Sequence, residues 1–124
     1  MLFCWGENRN LRAWSVAANG VATYLACNAE VASAQSQEQF GGTPGGMMCL
    51  SADGAASNTA VLWACIPYLD ANTAVSPGLA YDATGFGTFG DGSKQLRVLW
   101  DSQDWNLTFS FCKFTPPVVA NGKL

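Results

Sequence analysis

An all-β fold built from antiparallel strands is predicted by three observations. Apolar residues fall in short runs, the runs are separated by turn dipeptides, and no stretch carries a helical stripe. The most telling run is Ala60-Val61-Leu62-Trp63-Ala64-Cys65-Ile66, which has no polar side chain. It is too short for a buried helix and right for a strand. Asn58-Thr59 before it and Pro67 after it are strand punctuation. An unbroken apolar run predicts apolar material on both faces of this strand, hence a place inside a stack of sheets.

The other elements follow in order. Leu2-Phe3-Cys4-Trp5 and Leu11 to Val16 read as a hairpin around the polar turn Gly6 to Asn10. Asn19-Gly20 is a strong two-residue hairpin signal, and Val21 to Ala26 is the returning strand. Residues 27–46 are rich in Gly, Ser and Gln and read as a loop; Ala29 to Gln39 has no 3.6-residue apolar stripe. Met47 to Ser51 is a strand closed by Asp53-Gly54, and the Ala60–Ile66 strand comes next. Pro67 to Pro77 reads as a polar loop, Gly78 to Ala83 as a strand, Gly85 to Gly92 as a glycine-rich loop, and Leu96 to Ser102 as a strand. Trp105, Leu107, Phe109 and Phe111 alternate with polar residues, which predicts an extended segment with one buried face. Asn121-Gly122 signals a last hairpin.

Composition narrows the function. Charged residues make up only 12% of the 124 residues against 49% hydrophobic ones, so the chain must bury most of its surface or lean on neighbouring protein. The apolar residues are too scattered to span a membrane as a helix. Net charge is −3 and the six basic residues stand singly, which argues against a nucleic-acid partner. There is no histidine, which removes Ser-His-Asp and Cys-His catalysis and the commonest metal ligand. Five cysteines, Cys4, Cys27, Cys49, Cys65 and Cys112, form no C-x-x-C pair, so neither a zinc ribbon nor a thioredoxin-type site is expected. Cys49 and Cys65 read as small hydrophobes on strands. Met1 to Trp5 has no preceding Lys or Arg and is cut short by Glu7, so no signal peptide is expected.

Three segments align: Val21 to Ala26, Thr59 to Ala64 and Leu96 to Asp101, with Leu25, Leu62 and Leu99 recurring every 37 residues. Such a period points to a solenoid or a propeller. Leu79-Ala80-Tyr81-Asp82-Ala83-Thr84-Gly85 with Leu99-Trp100 is similar to the A-x-D-…-G-…-L-W signature of quinoprotein alcohol dehydrogenase-like β-propellers, the PQQ-like repeat family. Pro116 to Leu124 and Gly45 to Gly54 resemble the family's blade-opening strands and turns. The resemblance implies antiparallel four-stranded β-propeller blades in an incomplete propeller. Residues 1–26 would be the last three strands of one blade, 27–46 a loop, 47–102 a complete blade, and 103–124 a connector and the first strand of the next. The spacing between Gly85 and Leu96 exceeds the family pattern, which leaves the blade-docking role of Trp100 open.

The expected partners are the remaining blades or further copies of the chain, since a propeller closes with about four to eight blades. The resemblance also implies a periplasmic or extracellular location. PQQ and calcium are cofactors only in a full-length family context, with no motif around Glu7 or Arg12 to hold PQQ and no D-x-D-x-D-G loop for calcium. No catalytic residue and no metal ligand is expected. The candidate ligand-binding residues are Asp70 and Asn72, in a loop between two strands, where propellers build ligand surfaces. Asp82 and Asp91 read as turn residues. Gly85 to Gly90 matches G-x-G-x-x-G, but a strand follows instead of the helix that a dinucleotide needs. Trp5, Trp14, Trp63 and Trp100 lie on strands and are expected in the core, leaving Trp105 outside. Asn106-Leu107-Thr108 is a glycosylation sequon. The expected function is a non-catalytic structural or interaction module. The alternatives are a fragment of a PQQ-dependent dehydrogenase and a small glycan-binding β-sandwich.

Overall fold

The computed structural model describes residues 1–34, 45–67, 75–107, 109–112, 114–121 and 123–124. It is all-β, with no α-helix among the described residues. β1 (Leu2–Trp5) and β2 (Asn10–Val16) form the first hairpin, and β3 (Ala22–Val31) returns through Asn19-Gly20. The turn closes with Gly20 N–H donating to the Ala17 carbonyl at 2.9 Å, and Gly20 takes φ 82°, a conformation that glycine adopts without strain. β3 runs five residues beyond the expected end at Ala26. Asn10 holds this extension, its side-chain nitrogen lying 3.1–3.3 Å from the carbonyls of Asn28, Ala29 and Glu30.

The second half is also a meander. β4 (Met47–Ser51), β5 (Val61–Cys65), β7 (Gly78–Thr88) and β8 (Lys94–Asp101) pair in sequence as antiparallel neighbours. Between them lies the short β6 (Val75–Ser76), which pairs with β9 (Phe109–Ser110) in a separate two-stranded sheet. The two meanders, expected in successive blades, share one seven-stranded sheet of order β1-β2-β3-β8-β7-β5-β4. The joint is β3 beside β8, the one parallel pair in the sheet, with a single register pair Cys27–Gln95.

The sheet curls into a nearly closed, barrel-like shape. Its two edges come together where Gly45-Gly46, leading into β4, lie against Trp5 at the end of β1. A Cβ on Gly46 would stand 2.6 Å from the Trp5 ring, so close an approach needs glycine. Side chains alternate along every strand, and the inward set is Trp5, Leu11, Ala13, Ala26, Leu62, Ala64, Leu79, Tyr81, Ala83 and Leu96. In β5 the inward Leu62 and Ala64 are buried, whereas the outward Val61, Trp63 and Cys65 are half-buried. The apolar run thus does have two protected faces, though unequally.

Three expectations are corrected. Gly85-Phe86-Gly87-Thr88 is no loop but the continuation of β7, paired with Lys94–Leu96; the turn comes later, at Phe89–Ser93, where Gly92 takes φ 87°. The reach between Gly85 and Leu96 is therefore filled by a longer hairpin. Residues 105–111 do not form one extended segment: Ser102–Trp105 is a 3₁₀ helix capped by the Asp101 side chain, and Asn106 ends it in the left-handed region. The alternating Trp105, Leu107 and Phe109 are exposed. A residue period of two cannot tell which side of a strand another layer will cover. The expected loop at residues 67–77 also contains β6.

Closure through the Trp5 contact is testable. Gly46→Ala should lower stability by about 1–3 kcal/mol, the range for overpacking, read as a reduced urea midpoint. Gly90→Ala, with no atom within 4 Å of its added methyl, should leave the midpoint unchanged. Equal midpoints in the two variants would contradict the contact.

Candidate functional site

Two regions concentrate chemistry, one on each face of the sheet. On the inner face, alternation carries β3 from Ala26 to Asn28 to Glu30, so two polar side chains enter the interior next to Tyr81 of β7. The Asn28 amide donates to Tyr81 Oη at 3.0 Å and to Glu30 Oε2 at 2.9 Å, and its Oδ1 accepts from Leu11 N–H at 2.7 Å. Tyr81 in turn donates to Glu30 Oε2 at 3.2 Å. Burial, followed by the nearby Glu30 charge, pushes the Tyr81 phenol well above its ordinary range and keeps it protonated as the donor. The Trp5 ring packs edge-on against Tyr81 at 5.9 Å between centroids, with its Nε1 donating to the Arg9 carbonyl. In this cluster the side-chain polar atoms of Asn28 and Tyr81 are hydrogen-bonded, and both residues are sealed from solvent. It is an internal brace with no room for a substrate.

The outer face is different. Register places Cys49, Trp63, Ala80 and Trp100 in one row across β4, β5, β7 and β8. Ala80 is only 2% exposed although it faces outward, flanked in register by Trp63 and Trp100. Phe109 and Leu124 join Trp63 and Trp100 to line a groove of about 500 Å³. Gly78, in the same outward row as Ala80, brings the Trp100 and Phe109 rings within 3.3–3.4 Å of where its Cβ would be. Trp63 Nε1 is already engaged, donating to Ser51 Oγ at 2.8 Å. The groove is aromatic and nearly devoid of free polar groups. Such a wall suits apolar protein surface better than a sugar, whose hydroxyls need hydrogen-bond partners.

The two halves of the sheet both carry exposed apolar residues outside. Leu2, Trp14 and Tyr24 stand in register on the outer side of β1–β3, with Trp14 and Tyr24 in edge-to-face contact at 6.3 Å. Leu2 and Tyr24 are each about half exposed. Trp14, Trp63 and Trp100 are accordingly half-buried on the outer face, and only Trp5 sits in the core as expected.

The segment that carries the family resemblance has its own geometry. Asp82 Oδ1 accepts from Thr84 N–H, Thr84 Oγ1 and Gly85 N–H at 2.8–2.9 Å, and Oδ2 accepts from Arg97. The ladder between β7 and β8 is irregular here, jumping from Tyr81–Val98 to Phe86–Leu96. Asp82 therefore pins a bulge, as its expected turn role implies. Asp91 does the same for the β7–β8 turn, accepting from Ser93 N–H and Oγ.

Asp70 and Asn72 lie outside the described residues, as does Thr108 of the sequon. No cluster of three or more Cys, Asp or Glu suited to a metal occurs among the described residues, and no helix there is long and apolar enough to cross a membrane. The Asn28–Glu30–Tyr81 brace escaped sequence reasoning because β3 was ended at Ala26; continuing its alternation through Asn28 and Glu30 was the available signal. Phe109 and Leu124 gave no such signal, since a groove between distant segments has no local pattern.

A scan of family models, a search of curated proteins and a search of solved structures each returned no match to this chain. The Asp82 bulge can be tested on its own terms. Burial works against ionisation of this carboxyl, but the Thr84 and Gly85 donors and the Arg97 guanidinium outweigh it and hold the pKa down to about 2, from 3.8. A depressed carboxyl pKa stabilises the fold above about pH 4, and that contribution fades as pH falls toward 2. Asp82→Asn should be less stable than the native chain at neutral pH, with the gap closing on acidification, as read by urea midpoints at several pH values. A gap that stays constant down to pH 2 would rule the interaction out as a source of stability.

Proposed function

We propose that this chain is a non-catalytic structural and interaction module of the PQQ-like β-propeller kind. The observation that carries the reading is the aromatic outer face. The inner face of the sheet is filled by its own side chains, yet Trp63, Trp100, Phe109 and Leu124 gather outside with Phe109 and Leu124 about half exposed. Monomeric soluble proteins rarely leave such surface bare, and aromatic side chains dominate the energetics of protein contacts. The β4-β5-β7-β8 meander fits the strand count of one blade, and β1–β3 fits three strands of another. The Asp82-x-Thr84-Gly85 bulge gives a physical role to the residues that resemble the family signature. The partners are then the remaining blades or a second copy of the chain, docked on the outer face. Trp100, half-buried in the groove wall, takes the docking role. A periplasmic or extracellular site of action follows from the same resemblance.

The reading is tested by sedimentation velocity and near-ultraviolet circular dichroism on one sample. The isolated chain should self-associate through its outer face. Trp100→Ser should weaken that association by roughly 30-fold, equivalent to about 2 kcal/mol for an aromatic anchor, while Trp5 keeps its fixed aromatic signal. A native chain that stays monomeric and well folded at every concentration would overturn the reading.

A further inference from the structure

At the β4–β5 corner of the outer face, sulfur is concentrated. Met47 and Cys49 project outward from β4, and Cys65 projects outward from β5. Met47 is the register partner of Cys65, and Cys49 is the partner of Trp63, so Cys65 has a thioether directly opposite and a thiol one diagonal step away. The neighbouring diagonal of the same strand pair is bridged by the Trp63 Nε1 to Ser51 Oγ bond at 2.8 Å, which fixes the outward direction of both rows. Diagonal neighbours on one face lie about 7–8 Å apart at the backbone, with side chains within closer reach.

The surroundings of the two thiols support a shared role. Both are half-buried on the outward side of the same antiparallel strand pair. A cavity of about 220 Å³ opens onto Cys65, walled by Phe109, Cys112 and Pro116, and provides an entry path. All five cysteines are thiols in this structure. Two thiols and a thioether, without a carboxylate or imidazole, are a soft donor set that disfavours calcium, magnesium and tetrahedral zinc but suits a soft monovalent ion.

We propose that Cys49 and Cys65, with Met47 as a third donor, form a binding site for a soft monovalent cation of the Cu(I) type. Binding forms two Cu–thiolate bonds, with release of the two thiol protons to solvent, and a third Cu–S bond to the neutral Met47 thioether, with no change of oxidation state. Affinity therefore rises with pH, because protons compete for the sulfurs.

The test is anaerobic competition of the reduced full chain with the Cu(I)–bicinchoninate complex. One equivalent of Cu(I) should transfer to the protein. Cys65→Ser should lose affinity by more than the roughly 10–100-fold that removing an outer-shell partner costs, whereas Cys4→Ser should bind as the native chain does. A footprint on the unaltered protein keeps the test independent of how the variants fold. Bound Cu(I) should shield Cys49 and Cys65 from iodoacetamide and leave Cys4 labelled. Absence of stoichiometric transfer, native-like binding by Cys65→Ser, or protection spread evenly over all five cysteines would each overturn the site.

Discussion

The brace formed by Asn28, Glu30 and Tyr81 is what makes one structure out of two meanders. β3 and β8 meet in parallel through a single register pair, too little backbone bonding to hold the halves together. Across that weak seam, Tyr81 of β7 meets Asn28 and Glu30 of β3, while Trp5 of β1 packs on the same ring. Asn28 and Tyr81 have been taken out of water, so losing a partner would strand a buried polar group at about 1–3 kcal/mol. Within a low-dielectric interior such a network demands one geometry and penalises every other. The surrounding core is made largely of alanine and leucine, which fill space without selecting a register.

This use of the interior decides where function can reside. Among the described residues the inner face is closed by its own side chains, with Asn28 and Tyr81 hydrogen-bonded inside it. What is left is the outer face, where indoles and phenyl rings line a shallow groove and a second apolar row runs over β1–β3. A chain with so few charges has little else to present. The sulfur-rich corner beside the groove shares the same face, so a bound ion there would sit at the rim of the contact surface. The proposed interaction role rests on this face, with the sheet as its scaffold.

Much of the strand pattern was legible in the sequence, because each hairpin carries local chemistry. Asn19-Gly20 and Asp53-Gly54 sit at turns, and Met47 to Ser51 is a strand with the expected bounds. The Asp82–Gly85 motif was legible too, since a short acid two and three residues before backbone donors forms the same turn in many settings. What escaped was whatever depends on distant segments. Glycines at 85 and 87 suggested a loop, yet pairing with Gln95 and Leu96 drew them into β7. Trp63 and Trp100 read as core because indoles are large and apolar; only the curl of the sheet decides which face becomes the inside. The parallel seam at Cys27 and Gln95 has no local signature at all. Asp70 and Asn72, the expected ligand residues, lie outside the described residues.

Native-state hydrogen exchange is the most direct measure of whether the brace unites the two halves. The amides of Leu11, Ala26 and Tyr81 should be compared, since the first donates to Asn28 and the other two lie in the cores of β3 and β7. If the brace joins the meanders, all three should exchange with one opening free energy, equal to that of global unfolding. If Leu11 and Ala26 open together well before Tyr81, the halves are separate units, and the single curled sheet would not be the cooperative element on which the outer face depends.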